Sequence, residues 1–311
     1  IGSNLVEELL RRREVALVRV LDNFSTGYRR NLEPFEGDPR FDLINGDIRD
    51  IETCRRAMQG ISHVSHQAAL GSVPRSVKDP LTSNDVNITG TLNIFVAAHE
   101  AGVARVVYAA SSSTYGDEVS LPKREDRIGK PLSPYAVTKY VNELYADVFS
   151  RLYDVEFIGL RYFNVFGPGQ DPAGAYAAVI PLFMENVLSM RQPVIFGDGT
   201  QSRDFTFISN VVQANWIALT TQNEEAVNQV YNIGVGRQTS LNELFDIIRR
   251  LAGFAGEPLY APARAGDVEH SLADISKAKR LLQYDPAITV EEGLRLAFDW
   301  YRARYRELAE H

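Results

Sequence analysis

The sequence is poor in cysteine and contains no long apolar run. Cys54 is the single cysteine among 311 residues, so the chain cannot close an internal disulfide. It lies on the apolar side of the helical pattern IETCRRAMQG, where we interpret it as a small buried hydrophobe rather than a nucleophile. No apolar run approaches the roughly 20 residues that cross a bilayer. We therefore expect a protein of the reducing cytoplasm without a membrane partner.

The chain also lacks an excess of positive charge. Its 33 Lys and Arg residues against 40 Asp and Glu give a net charge of -7. This balance argues against non-specific nucleic-acid binding but leaves room for a local basic phosphate pocket. No repeat or low-complexity tract is visible, and neither is a signal peptide. Because the chain opens at Ile1 rather than Met, we expect its natural N-terminus to lie upstream.

Strand-like runs alternate with helical patterns through the first half. Apolar, β-branched runs predict strands at 15–22, 41–47, 63–69, 105–113 and 157–167. Helical patterns cover 5–13, 51–59, 86–101 and 133–149. The alternation predicts an α/β fold with a doubly wound, mostly parallel sheet of the Rossmann type.

The second half is less regular. It predicts a helix at 175–190, with Pro181 at a kink or near the start, and two strands around a Gly-Asp-Gly turn at 193–208. A helix at 240–252 begins with a Ser240 cap and Glu243 three residues on, and an amphipathic helix covers 289–304. We expect a smaller α/β region for substrate here, packed on the first half with a cleft between them.

The first helix and the second strand suggest a dinucleotide site. Gly2 directly precedes an amphipathic helix, where the last glycine of a Gly-rich turn allows close helix–strand packing. The preceding strand of this fold would lie before residue 1. Asp22 ends the next strand about 20 residues on, where a carboxylate accepts hydrogen bonds from an adenosine ribose and favours NAD over NADP. A turn-forming Asp22–Asn23 pair explains this stretch equally well.

Three further segments bring reactive side chains to strand ends. The stretch ASSSTYG places Ser111 at the end of a strand, and Asn164 follows another. Tyr135 and Lys139 lie one turn apart in SPYAVTKYVNELYADVF. Oxidation of a secondary alcohol needs a base, and a neighbouring ammonium lowers the pKa of a tyrosine toward that role. We therefore interpret the pair as catalytic rather than as a solvated helix edge.

These residues resemble those of the extended short-chain dehydrogenase/reductase family over essentially the whole chain. The motifs are closest to the nucleotide-sugar 4-epimerases, and among them to the bacterial UDP-N-acetylglucosamine 4-epimerases. They are HQAALGSVPRS, AASSSTYGD, PLSPYAVTKYVNELYADVFSRLY, LRYFNVFG, QDPAGAYAAVIP, GDGTQSRDF and SLADISKA.

The resemblance implies roles for individual residues. Tyr135 is the implied acid/base, Lys139 tunes it, and Ser111 completes the catalytic group. The implied NAD-binding residues are Gly2, Asp22, Asn23, Asp47, Ile48, Gln67, Ala68, Ala69, Tyr135, Lys139 and Tyr162. The implied UDP-sugar residues are Gly71, Ser72, Ser112, Ser113, Asn164, Gln170, Ala178, Val179, Arg203, Arg264 and Asp267. The division of roles among the three serines stays open.

The resemblance also implies an organisation. Residues 1–167 with about 204–236 would form an NAD-binding domain that lacks its first strand, and residues 168–203 and 237–311 would bind the UDP-sugar. A homodimer would form through the helices at 86–101 and 135–153. Because the missing strand would be central in the sheet, we expect the 311-residue piece alone to be unstable and to bind NAD poorly.

Several chemistries remain open on this scaffold. Dehydratases and decarboxylases of the family carry carboxylates where this chain has Ser112 and Ser113, so 4-epimerisation through a 4-keto sugar is favoured. Gly71 leaves volume for an N-acetyl group, which predicts interconversion of UDP-GlcNAc and UDP-GalNAc for polysaccharide or lipopolysaccharide precursors. UDP-glucose, UDP-glucuronate or another nucleotide sugar are alternatives, as is a non-catalytic NAD-binding regulatory module. His63 and His66 face opposite sides of a strand, so no metal site is predicted.

Overall fold

The computed structural model describes residues 1–171, 178–263 and 269–309, with the backbone alone for the last four of these. The strands are β1 (Val18–Asp22), β2 (Phe41–Asn45), β3 (His63–His66), β4 (Arg105–Ser111), β5 (Glu156–Tyr162), β6 (Val165–Phe166), β7 (Val194–Phe196), β8 (Ser202–Arg203), β9 (Thr206–Phe207), β10 (Gln229–Ile233), β11 (Thr239–Ser240) and β12 (Leu259–Ala261). The α-helices are α1 (Gly2–Arg11), α2 (Ile51–Met58), α3 (Val73–Lys78), α4 (Pro80–Asn84), α5 (Gly90–Glu100), α6 (Pro134–Leu152), α7 (Val179–Leu188), α8 (Ile208–Thr220), α9 (Leu241–Ala252), α10 (Ser276–Leu282) and α11 (Val290–Ala309).

The central sheet is parallel. Its strand order is β10-β5-β4-β3, and β1 and β2 form a second parallel pair. Strands in sequence order with helices between them give parallel ladders because each crossover returns the chain to the same end of the sheet. The predicted α/β fold of the Rossmann type is confirmed.

The edges of β1 and β3 face a common cavity of about 1060 Å³. The two strands are not hydrogen-bonded to each other.

The centre of the sheet is packed without spare volume. Val106 and Val107 on β4 are fully buried, and so are Ile158 and Leu160 on β5. Tyr108 on β4 lies directly opposite Gly159 on β5. A Cβ atom added at Gly159 would lie 2.6 Å from the Tyr108 Oη, so the glycine provides the room that this buried ring needs.

Two sequence predictions about strands are wrong in detail. The predicted strand 157–167 breaks after Tyr162 because Asn164 adopts a φ of 30°, and β6 then joins β9 rather than the main sheet. The two strands expected around the turn at 193–208 do not pair with each other. Instead β7 pairs with β12 and β8 with β11, so longer-range partners replace the local hairpin.

The predictions for the helices agree more closely with the structure. Pro181 lies in the first turn of α7, where it needs no hydrogen-bond partner for its nitrogen. Ser240 caps α9 by accepting a hydrogen bond from the Glu243 N–H at 3.1 Å. Cys54 is fully buried on α2, as predicted, and burial raises the pKa of its thiol to about 12.

Much of the apolar surface of α6 is exposed. Val137, Leu144, Val148 and Leu152 are between 40% and 67% exposed. The buried face of α6 instead carries Ala136, Thr138, Lys139, Asn142, Glu143, Ala146 and Phe149. Several of these are polar, so this helix buries its functional side chains rather than its most apolar ones.

Candidate active site

Most of the predicted cofactor residues surround the cavity between β1 and β3. This cavity is lined by Gly2, Asp22, Asn23, Asp47, Ile48, Gln67, Ala68 and Ala69. They come from the start of α1 and from the segments that follow three parallel strands. Because the carboxyl ends of parallel strands lie at one edge of a sheet, these distant segments meet there.

Gly2 lies in the first turn of α1 and is exposed. No heavy atom of the described residues lies within 4 Å of a Cβ added there. The expectation that close helix–strand packing explains this glycine is therefore not supported within this chain. Its position at an open helix N-terminus remains compatible with binding of a phosphate.

The two carboxylates predicted to bind NAD, those of Asp22 and Asp47, already form hydrogen bonds within the chain. Asp22 accepts a hydrogen bond from the Phe24 N–H at 2.8 Å, so it does form the turn that was one of its two interpretations. Asn23 donates to Asp47 at 2.8 Å, and Arg49 forms an ion pair with Asp47 at 2.7 Å. The Arg49 guanidinium holds the pKa of Asp47 well below its usual range. These bonds fix the orientation of both carboxylates at the strand ends.

The loop after β3 is held by a residue that sequence reasoning missed. Asn87 is fully buried, accepts the Leu70 N–H at 2.8 Å and donates to the Leu70 carbonyl at 3.3 Å. It also donates to the Thr138 hydroxyl on α6 at 3.1 Å. Asn87 lies in a π-helical turn over Asp85–Thr89, a rare feature that often marks a functional site. It links the loop that carries Gly71 to the helix that carries Tyr135.

The serine-rich end of β4 forms a compact hydroxyl group. Ser111 caps the 3₁₀ turn Ser112–Tyr115 by accepting from the Ser113 N–H at 3.2 Å. The Ser113 hydroxyl donates to the Ser111 hydroxyl at 2.9 Å. Ser111 also acts on Tyr135, because its side chain lowers the pKa of that phenol.

Tyr135 is placed by the start of α6. Ser133 caps the helix by accepting from the Ala136 N–H at 3.1 Å, and the Tyr135 N–H donates to the buried Ser76 hydroxyl at 3.0 Å. Burial raises the pKa of the Tyr135 phenol, and the hydrogen bond with Ser111 offsets part of this effect. A phenol in this position needs an added positive charge before it can act as a base.

Lys139 supplies that charge one turn further along α6. Its Nζ lies 6.0 Å from the centre of the Tyr135 ring and donates to the Ala109 carbonyl on β4 at 2.8 Å. The side chain is buried, and burial lowers the pKa of Lys139 to about 8 although Glu143 acts in the opposite direction. Because this pKa stays above 7, the amine carries its positive charge beside the phenol at neutral pH.

A polar network joins two predicted cofactor residues to α8. Tyr162 donates to Gln67 at 3.1 Å and accepts from Asn215 at 2.8 Å. Gln67 in turn donates to Asn215 at 3.0 Å and to Ser65 at 2.9 Å. Asn215 is fully buried and was missed, because nothing in its local sequence indicates partners about 150 residues away.

The predicted substrate residues are spread around the same end of the sheet. Asn164 donates to the Asp204 carbonyl at 3.3 Å, and Arg203 donates to the carbonyls of Ser202 and Glu269 at 2.9 and 3.0 Å. Ser72 caps α3 by accepting from the Arg75 N–H at 3.2 Å. Ala178 and Val179 lie at the start of α7. Arg264 and Asp267 lie outside the described residues.

Gln170 has an unusual environment. Its Nε2 donates to the Val165 carbonyl at 3.5 Å, whereas its Oε1 is buried and has no hydrogen-bond partner among the described residues. A buried amide oxygen without a donor is costly.

Within the described ranges no cluster of His, Cys, Asp and Glu could hold a metal ion. His66 is buried and His63 is exposed, on opposite sides of β3. The same described part of the chain contains no helix with the length and apolar character of a membrane span.

Comparison with known proteins identifies the family. The sequence model of the NAD dependent epimerase/dehydratase family matches residues 1–234. The chain belongs to this family. The predicted membership of the extended short-chain dehydrogenase/reductases and the predicted NAD cofactor are thereby confirmed.

Individual relatives match along nearly the whole chain. UDP-glucose 4-epimerase of Mycolicibacterium smegmatis is 36% identical over 97% of this chain and 95% of its own length. UDP-glucose 4-epimerase of Thermotoga maritima, solved with UDP-glucose, is 35% identical with a TM-score of 0.91, covering 98% and 96% of the two chains. UDP-N-acetylglucosamine 4-epimerase of Methanobrevibacter ruminantium M1, solved with UDP-N-acetylmuramic acid, is 36% identical with a TM-score of 0.91, covering 97% and 95%.

Proposed function

We propose that the chain catalyses reversible 4-epimerisation of a UDP-sugar, with UDP-GlcNAc and UDP-GalNAc as the preferred pair. The observation that carries the proposal is the group of Ser111, Tyr135 and Lys139 at the end of β4, followed by hydroxyls rather than carboxylates at Ser112 and Ser113. Elimination of water or carbon dioxide calls for a further acid or base here. Epimerisation needs only the removal and return of one proton and one hydride.

The roles of the chain's own residues follow from this arrangement. NAD, held by the residues around the cavity, would supply the acceptor and then the donor of the hydride at C4 of the sugar. Tyr135 removes the C4 hydroxyl proton and later returns it. The Lys139 ammonium stabilises the phenolate, and the Ser111 hydroxyl orients the same sugar oxygen. The 4-keto sugar turns over between the two half-reactions while its diphosphate stays bound.

The surroundings of the cavity fit an NAD molecule. The strand ends that carry Asp22 and Asp47 line this cavity. Asp22 would accept the adenosine ribose hydroxyls, and Gly2 at the N-terminus of α1 would face the diphosphate. Asn23, Ile48, Gln67, Ala68, Ala69 and Tyr162 would complete the contacts. The segments 1–167 and about 204–236 would thus form the NAD-binding domain, and 168–203 with 237–311 the UDP-sugar domain.

Two observations favour an N-acetylated sugar. The space around Gly71 is open, since no heavy atom of the described residues lies within 4 Å of a Cβ added there. The unpartnered Gln170 Oε1 can accept the N–H of an acetamido group, and Ser112 can donate to its carbonyl. The M. ruminantium neighbour, whose name and bound ligand both carry N-acetylated sugars, adds support. Asn164, Arg203 and Arg264 would hold the diphosphate side, and Ser72, Ser113, Ala178, Val179 and Asp267 the rest of the UDP-sugar.

The exposed apolar stripe of α6 supports a homodimer. Val137, Leu144, Val148 and Leu152 lie at helical spacing and present apolar surface to solvent. Val77 on α3 and Leu81 on α4 add to the exposed apolar surface of helices that pack against α6. A second copy of this chain would cover the stripe through a helix pair. Supply of sugar nucleotides for polysaccharide or lipopolysaccharide synthesis is the corresponding biological role.

The test is a 4-epimerase assay on the natural protein with UDP-GlcNAc, UDP-glucose and UDP-glucuronate. We expect kcat/KM for UDP-GlcNAc to be higher by at least about tenfold, the effect of about 1.4 kcal/mol. Tyr135→Phe should lower kcat by about 10²–10⁴-fold, whereas Tyr140→Phe on the same helix should not. A clear preference for UDP-glucose would overturn the N-acetyl assignment. Bound NAD without turnover of any UDP-sugar would instead favour a regulatory module.

A further inference from the structure

A buried ion pair lies one turn beyond Lys139. Tyr135, Lys139 and Glu143 follow one another at intervals of four on the same face of α6. The Glu143 carboxylate accepts two hydrogen bonds from Arg161 on β5, at 2.9 Å from Nε and 2.7 Å from Nη2. The two side chains are 6% and 4% exposed. This is the fork-to-fork geometry of a strong carboxylate–guanidinium pair.

The pair is joined to the strand that holds Lys139. Arg161 on β5 is the register partner of Ala110 on β4, which lies between Ser111 and the Ala109 carbonyl that accepts from Lys139. The Arg161 guanidinium also lies 4.9 Å from the centre of the Tyr115 ring, at the end of the serine-rich turn. The pair therefore contacts both elements that carry the catalytic group.

Stability alone is a weak reason for such a pair. Taking both charges out of water costs several kcal/mol per ion, and replacement of a buried pair by apolar residues is often neutral or stabilising. A better reason is that the pair holds a neighbouring charge, that of Lys139, in place. Lys139 is a buried amine, and burial favours its neutral form, which cannot stabilise a phenolate.

We propose that Glu143 and Arg161 are positioning residues for the reaction: the Glu143 carboxylate keeps Lys139 in its charged form against β4, and Arg161 holds that carboxylate in place through two hydrogen bonds. This inference rests on the role proposed above for Lys139. In this proposal neither Glu143 nor Arg161 touches the sugar or the cofactor.

Other charges around Lys139 do not replace Glu143. The titratable and charged groups that face this region are His66 on β3, Tyr108 on β4, Tyr115 after β4, Tyr135 and Asp147 on α6, Arg161 on β5, and Glu125 and Lys277 beyond Arg161. Burial lowers the pKa of His66 to about 3, so this residue stays neutral at working pH. Burial raises the pKa of Tyr115 to about 12, so it too is neutral. Among the described residues, Glu143 is the carboxylate that raises the pKa of Lys139.

The experiment measures the titration of Lys139 directly. The chain contains six lysines, so ¹⁵N labelling of their amines gives few signals, and the one lost in Lys139→Arg is that of Lys139. In Glu143→Gln we expect the pKa of Lys139 to fall by about one unit or more. Asp147→Asn, one turn further along α6 and exposed, serves as the matched control and should leave this titration unchanged.

The epimerase assay gives a second readout. Because Lys139 becomes neutral at lower pH in Glu143→Gln, its kcat relative to the natural protein should fall at pH 8 and recover as the pH is lowered to 6, with KM little changed. Glu143→Asp, which keeps the charge, should restore part of the pKa. A pair with a purely structural role predicts lower thermal stability and lower kcat at every pH, with the titration of Lys139 unchanged.

Glu143→Gln leaves a buried guanidinium unpaired and can fail to fold. The double variant Glu143→Gln/Arg161→Met removes both charges. It should also lower the pKa of Lys139, by a smaller amount than Glu143→Gln alone. An unchanged pKa of Lys139 in whichever of the two variants folds overturns the proposal. Since the titration needs no turnover, an inactive natural protein would refute the proposed epimerase function without deciding the role of the ion pair.

Discussion

Replacement of Lys139 by methionine should separate stability from activity. Methionine has nearly the same length as lysine and no charge, so Lys139→Met fills the same buried space on α6. It removes the ammonium that we assign to stabilisation of the Tyr135 phenolate. We expect kcat to fall by about 10²-fold or more. The free energy of unfolding should change in a way that depends on pH.

The magnitude follows from the pKa of Lys139. Burial lowers this pKa from its usual 10.5 to about 8, and each unit corresponds to about 1.4 kcal/mol. The folded protein therefore holds the ammonium at a cost of about 3 kcal/mol at neutral pH. In the variant this cost disappears, but the Ala109 carbonyl loses its donor, which costs about 1–3 kcal/mol. The net change at pH 7 alone is thus a poor test.

The pH dependence isolates the charge. Between pH 8 and pH 10.5 the unfolded chain binds the lysine proton and the folded chain does not, so the free energy of unfolding of the natural protein rises with pH through this window. The variant lacks this rise. The free energy of unfolding of Lys139→Met minus that of the natural protein should therefore be about 2–3 kcal/mol higher at pH 7 than at pH 10.

The assay is urea unfolding of both proteins at several values of pH, with the exposed Lys130→Met as the matched control. The control difference should not change with pH because that amine is in water in both states. A stability difference for Lys139→Met that stays constant from pH 7 to pH 10 would refute the buried-ammonium argument. Retention of natural kcat would refute the catalytic role.

Two further variants test packing and assembly. Gly159→Ala should lower the free energy of unfolding by about 1–3 kcal/mol, because its Cβ would lie 2.6 Å from the buried Tyr108 Oη. Gly37→Ala is the control, since open space surrounds this glycine and the free energy of unfolding should not fall. Thermal melts measure both variants. Leu152→Glu should convert a dimer into a monomer in sedimentation experiments, whereas Leu259→Glu on β12 should leave the mass unchanged. A natural protein that is monomeric at every concentration contradicts the assigned interface.

The parts that could be predicted from sequence are those in which local pattern and strand topology agree. Apolar runs separated by helical patterns predict the parallel sheet, and polar residues after those runs must then meet at one edge. Ser111, Asp22 and Asp47 were predicted to lie at this edge in this way, and the structure places them there. Lys139 and Tyr135 were predicted as a pair because a spacing of four on a helix places two side chains on one face.

The missed residues depend on partners that no local pattern contains. Asn215 on α8 bonds to Gln67 and Tyr162 across roughly 150 and 50 residues of sequence. Asn87 holds the Leu70 backbone through a π-helical turn, which apolar periodicity does not predict. Short strands such as β8 were misassigned for the same reason, because two residues carry too little pattern to show their partner.

The helix α6 shows why periodicity can mislead at a functional site. Its most apolar residues are exposed, while Lys139, Asn142 and Glu143 are buried. Lys139 and Glu143 have partners in the Ala109 carbonyl and the Arg161 guanidinium, which makes their burial tolerable. Asn142 donates to the Thr91 hydroxyl, but its buried Oδ1 has no partner among the described residues. A helix that turned its apolar stripe inward would pack better as a monomer but would place Tyr135 and Lys139 in solvent. The observed orientation therefore favours the site, and a second subunit that covers the exposed stripe would recover the lost apolar burial.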